Sequence, residues 1–121
     1  MLSKIHEIKS SIHSDQNFVT LNQAVISRGT LQSAALLIGL AQKMLDLSSA
    51  YVLDRNQFGK PIGSFQAVKH MLADVAVAIE FARPAMYRAS YSLFDHNSKS
   101  ALHCAHAKYM AVKAAELACK N

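Results

Sequence analysis

Residues 55–74 read RNQFGKPIGSFQAVKHMLAD. The first half carries Gly59, Pro61 and Gly63, and the second half opens a helical pattern. Glycine suits a left-handed turn and proline has no N–H for a ladder, so the segment ends one helix before another begins. A plain loop needs only a glycine and some polar residues. The arginine, glutamine and phenylalanine crowded in beside them call for a further reason.

Downstream, Ser64 is a good N-cap residue and a helix is predicted from there to about Phe94. Phe65, Val68, Leu72, Val75, Ile79, Ala82, Met86, Ala89 and Leu93 alternate spacings of three and four, the seam of a left-handed bundle. Pro84 interrupts that helix and denies a hydrogen bond to Glu80, which predicts a bend. The polar turn DHNSKS (95–100) closes it. A third helix is expected from near Ser98 to the end of the sequence, with Leu102, Ala105, Tyr109 and Val112 along one side.

Upstream, a helix is expected from about Arg28 to Leu53. Leu31, Ala35, Ile38, Leu45 and Val52 mark one stripe, and Leu36, Leu37, Leu40, Met44 and Leu47 spread over the other faces. A helix apolar nearly all round is central and covered on several sides. Residues 1–27 read as a polar lead-in segment. The sum is one domain: an all-α, up-and-down helical bundle over residues 28–121, incomplete as it stands. Three such helices leave apolar surface uncovered, so an exposed patch or self-association is expected of the isolated chain.

Composition narrows the function. The chain has 121 residues, a formal net charge of +5, no Trp and few aromatics. No Lys/Arg-rich run or basic–aromatic interleaving occurs, which argues against nucleic acid as a partner. The N-terminal MLSKIHEIKS lacks an apolar core of signal-peptide length. AALLIGLA (34–41) is too short for the roughly 20 residues that span a bilayer, so no membrane span is expected. Cys104 and Cys119 share one predicted helix, roughly 22 Å apart at the helical rise, far beyond disulfide reach. These features together predict a cytoplasmic protein.

The segment YVLDRNQFGKPIGSFQAVKHMLADVAVAIEFAR (51–83) resembles the acyl-CoA dehydrogenase family, in the first half of its C-terminal helical domain. The resemblance is carried by Tyr51, Arg55, Gln57, Phe58, Gly59, Pro61, Ile62, Phe65, Gln66, Leu72, Ala73, Asp74, Ala82 and Arg83, with AALLIGLAQKML upstream. It implies a flavoenzyme that oxidises acyl-CoA thioesters to 2,3-enoyl-CoA. FAD would be the cofactor, an identical subunit the neighbour and an electron-transfer flavoprotein the usual acceptor. Carried onto this sequence, Arg55 and Gln57 contact the FAD diphosphate, Phe58 packs beside it, and Phe65 and Gln66 lie near the ribityl-adenine portion. An arginine fork and the N–H groups opening the next helix suit such an anion. Read without the family, Arg55 is a cation at a helix C-terminus and Gln57 a polar loop residue.

The departures bear on catalysis. The family's usual glutamate base and its Gln-x-x-Gly-Gly flavin loop have no counterpart in this sequence. In the minority scheme, where the base opens the first helix, this chain reads SRGT (27–30), and no Asp or Glu occurs between Asp15 and Asp46. No catalytic residue is assigned. Arg28 is the nearest candidate for an arginine serving the substrate side. The alternative to a working enzyme piece is a non-catalytic, truncated or degenerate subunit that pairs with an active flavoprotein subunit. HCAH (103–106) places two imidazoles at i, i+3, but without further cysteines it reads as surface histidines around a small buried thiol, and no metal is assigned.

Overall fold

The computed structural model describes residues 16–121, and side-chain surroundings from Phe18 onward. Among the described residues there are three helices: α1 (Gln16–Asp54), α2 (Gln66–Phe94) and α3 (Ser100–Lys120). Between α1 and α2 lie two short strands, β1 (Asn56–Gln57) and β2 (Lys60–Pro61), then a 3₁₀ turn (Ile62–Ser64). The bundle is up-and-down, and α3 packs against both other helices.

The seam of α2 is the one the sequence predicts. Val75, Ile79, Ala82 and Ala89 are buried, and Phe65, Val68, Leu72, Met86 and Leu93 are half-buried. An unbroken three–four alternation leaves a helix one face to offer, and α1 and α3 take it.

Four expectations change. Helix α1 begins at Gln16, not near Arg28, so the part of the lead-in that is described is helical. Residues 1–15 lie outside the described residues. Ser64 does not cap α2: it sits in the 3₁₀ turn, and Phe65 takes the N-cap position without a side-chain hydrogen bond. Helix α3 starts at Ser100 and turns a different face inward. Cys104, Ala107, Ala111 and Ala114 are buried, whereas Leu102 and Tyr109 are exposed. Both stripes of α3 have helical period, so the spacing cannot choose between them. Size chooses: among the described residues, eight of the twelve buried apolar ones are alanines, and helices packed through alanine approach closely.

The fourth change concerns α1. Ala34, Ile38 and Ala41 are buried, but Ala35 is exposed, as are Leu36, Leu40 and Leu47. This chain covers one face of the helix and leaves the opposite one bare, so the exposed apolar patch is present. By length and composition alone α1 could cross a membrane, a test that the core helix of a bundle passes equally.

Two turns set the ends. After α2, His96 adopts a positive φ of 50°, and the Asn97 N–H donates to the Ser92 carbonyl at 3.0 Å, a Schellman-type close. Before α2, the 3₁₀ turn leans on the end of α1. A β-carbon on Gly63 would meet the Val52 carbonyl oxygen at 3.0 Å and Val52 Cγ2 at 3.1 Å. Gly63→Ala is therefore expected to destabilise the chain by about 1–3 kcal/mol. At Gly39 nothing lies within 4 Å of such a carbon, so Gly39→Ala should be neutral or stabilising through helix propensity. Thermal melts of the two variants side by side check this pair.

Candidate flavin-diphosphate hairpin

The segment that ends α1 is a two-residue hairpin. Asn56 pairs with Pro61 and Gln57 with Lys60, antiparallel, leaving Phe58 and Gly59 as the turn. Both turn residues have positive φ, 53° and 78°. A hairpin this tight needs left-handed backbone at both positions to match the strand twist. Gly59 adopts it freely. Phe58 does not, and a bulky residue there costs roughly 1–2 kcal/mol. The side chain held at that cost is 91% exposed. A strained, solvent-facing aromatic at a turn tip is an outlier of the kind that gathers at functional sites.

The base of the hairpin is firm. The Arg55 N–H donates to the Tyr51 carbonyl at 2.9 Å and the Ile62 N–H donates to the Arg55 carbonyl at 2.8 Å. The Phe65 N–H then donates to the Ile62 carbonyl at 3.1 Å, tying the hairpin to the start of α2. No side chain caps α2 and its first turn holds no acid, so its leading N–H groups carry an uncompensated positive end. Among the described residues, the side chains of Arg55, Gln57 and Gln66 have no hydrogen-bond or ion-pair partner. All three are exposed. One guanidinium, two amides, an open helix start and a protruding phenylalanine thus share one end of the bundle.

Arg28 is not part of this group. It lies 27 residues earlier on the same helical run, roughly 40 Å away at the helical rise. It lines a cavity of about 510 Å³ with Gln23, Ser27 and His96, at the end of the bundle where α2 turns into α3.

The other sequence candidates settle into structure. Arg83 Nη2 donates to Gln42 Oε1 at 2.7 Å, and Gln42 Nε2 donates to Asp46 Oδ1 at 2.8 Å, linking α2 to α1. Arg83 Nε lies 3.1 Å from Glu80 Oε1 but not in hydrogen-bonding geometry. Cys104 is buried, and desolvation pushes its thiol up, which keeps it protonated and unreactive. Among the described residues no three His, Cys, Asp or Glu side chains gather as a metal site would need.

His103 is half-buried, with Nδ1 shut off from solvent and unpartnered. Burial holds its pKa below the ordinary 6.5, with Arg88, Lys99 and His106 adding to the shift. The folded ring thus takes up a proton less readily than the unfolded one. Its contribution to stability is full above the ordinary value and is lost as pH falls from there through the lower folded value. Stability is expected to drop between pH 8 and pH 5, and His103→Gln should flatten that slope in a pH series of urea melts.

A sequence profile of the acyl-CoA dehydrogenase C-terminal domain matches residues 19–121. The chain belongs to the acyl-CoA dehydrogenase family. It is 45% identical over 93 residues to a probable acyl-CoA dehydrogenase, YngJ, of Bacillus subtilis, covering 77% of this chain and 24% of that protein. It is 43% identical over 84 residues to glutaryl-CoA dehydrogenase of Desulfococcus multivorans, covering 69% and 22%. In three dimensions it resembles a glutaryl-coenzyme A dehydrogenase in complex with glutaryl-CoA. The TM-score is 0.78 at 34% identity, covering 86% of this chain and 26% of that one. The chain spans about a quarter of the length of these acyl-CoA dehydrogenases.

Two residues between α1 and α2 escape a reading by motif, Gly63 in the 3₁₀ turn and Lys60 in the hairpin. Gly63 matters only through its distance to Val52. Lys60 matters through its ladder partner, and a Phe-Gly turn is a weak hairpin signal compared with Asn-Gly.

Proposed function

We propose that this chain is part of an FAD-dependent acyl-CoA dehydrogenase oxidising acyl-CoA thioesters to 2,3-enoyl-CoA. Its share is subunit contacts and one piece of the FAD-diphosphate site. The observation that carries the reading is the strained hairpin. Phe58 is held outward at an energetic cost between an unpartnered Arg55 and the open start of α2.

The residues present suit the diphosphate of FAD. Arg55 offers a planar fork for two phosphate oxygens, and Gln57 an amide N–H beside it. Gly59 has open space where a β-carbon would stand, so the turn can lie close to a ligand. Phe58 would pack beside the diphosphate, with Phe65 and Gln66 flanking toward the ribityl-adenine side. When bound, FAD supplies the acceptor for the hydride leaving the acyl β-carbon. This chain's residues bind and orient. No carboxylate occurs between Asp15 and Asp46, so α1 offers no base along that length, and the proton-abstracting group is assigned to no residue here. Arg28 would serve the substrate side from its own cavity.

The bare face of α1, with Leu36, Leu40 and Leu47, supports a neighbouring identical subunit or the rest of a longer chain as its cover. An electron-transfer flavoprotein would take the electrons. Two unpaired cysteines suit a cytoplasmic location.

Native mass and flavin content of the endogenous protein, purified without denaturant, test the reading. A subunit several times longer than 121 residues, in an oligomer carrying FAD, supports it. A 121-residue subunit bound to a larger flavoprotein turns it into the second reading, a non-catalytic partner lending Arg55 to another subunit. A 121-residue protein with neither flavin nor flavoprotein partner overturns both.

A further inference from the structure

Lys60 belongs to no part of the family motif, yet it holds the middle of the hairpin. Its Nζ lies 4.5 Å from the centroid of the Phe65 ring, over its face. The same ring meets Phe58 in a T-shaped contact, with centroids 6.3 Å apart and planes at 89°. Phe65 is half-buried and its backbone is pinned on both sides: its N–H donates to Ile62, and its carbonyl accepts the Lys69 N–H at 3.1 Å. Across the ladder Lys60 faces Gln57. Phe65 is thus a fixed platform, with the ammonium on its face and Phe58 against it.

We infer that Lys60 is a positioning residue for the hairpin tip: by its cation–π seat on Phe65 it keeps Phe58 in its strained, outward place. The inference rests on the diphosphate reading and deepens it. Phe58 adopts a backbone conformation that its side chain disfavours, and its ring meets that of Phe65. Whatever steadies that platform holds the strained turn in its binding shape. It also changes what Phe65 does. With Lys60 over its face, that face is not free to stack on a ligand, and Phe65 acts by holding Phe58.

The test uses the 121-residue chain with ¹³C-labelled phenylalanine, titrated with inorganic pyrophosphate at several salt concentrations. Lys60→Gln is expected to move the Phe58 ring resonances toward those of an unpacked phenylalanine. It should also weaken pyrophosphate binding roughly two- to five-fold, the equivalent of one exposed cation–π contact. The salt dependence should stay unchanged, and Lys60→Arg should restore both readouts. Unmoved Phe58 resonances in Lys60→Gln would overturn the inference. So would a flatter salt dependence, which would make Lys60 a direct anion contact. Arg55→Ala separates this from the reading beneath it. If pyrophosphate binding survives that change, the diphosphate reading is wrong; if the isolated chain binds none, the Phe58 resonances alone decide what Lys60 does.

Discussion

Arg55→Ala is expected to lower FAD affinity of the assembled flavoprotein roughly 10- to 100-fold, because a hydrogen bond to a charged group is worth about 1.5–3 kcal/mol. The loss should come without a loss of fold. The Arg55 backbone closes the hairpin through its N–H and carbonyl, both of which alanine keeps, while the side chain reaches out to solvent without a partner. Thermal stability of the flavin-free chain should therefore be unchanged within about 0.5 kcal/mol, as for other exposed substitutions. Arg55→Lys should recover only part of the affinity, since a lysine offers a point charge in place of a two-pronged fork. Flavin retention on gel filtration, read at rising salt, is the measurement. Full retention in Arg55→Ala would remove the hairpin from the cofactor site.

Ile79→Ala should destabilise the chain by about 2–5 kcal/mol, the range for large-to-small changes in a core. Ile79 is 1% exposed and, with Cys104, one of the two largest side chains wholly buried among the described residues. Most buried members of the core cluster it belongs to are alanines, which have little side-chain length with which to fill a hole, so much of the cavity should persist. For a chain of this size that is a drop in melting temperature of roughly 10–20 °C. Leu36→Ala is the matched control. At 65% exposure Leu36 holds nothing within the chain, and its loss should pass nearly unnoticed in the monomer. If Leu36→Ala weakens the full assembly and not the monomer, the bare face of α1 is an interface.

The histories of α2 and α3 show where reading by period succeeds. Along α2, large residues and alanines alternate at three and four from Phe65 to Leu93, and that seam is the buried face, although Val77, Phe81, Tyr87 and Tyr91 stand exposed beyond it. Along α3, Leu102–Ala105–Tyr109–Val112 and Cys104–Ala107–Ala111–Ala114 are both helical stripes. Hydrophobicity favours the first, and close packing favours the second. A scale that ranks leucine above alanine cannot see that the narrower face lets three helices come together. On α1 the all-round apolarity was a true signal, but of surface that this chain alone does not cover.

At the hairpin the division is sharper. Arg55, Gln57 and Phe58 are legible because their types and order repeat a family pattern. The left-handed backbone of Phe58, the ladder that sets Lys60 opposite Gln57, and the contact that forbids a side chain at Gly63 are not. Each depends on where α1 ends against α2.

The sequence by itself determined the helical bundle, the seam of α2, the break at 55–64 and the family, because period, punctuation and motif are local and survive without neighbours. Only the tertiary structure decided which face of α3 turns inward and how much of α1 stays bare. It also decided that Phe58 is held out at a cost on a Phe65 platform under Lys60. These are matters of distance between segments, and such distances arise only when the helices pack.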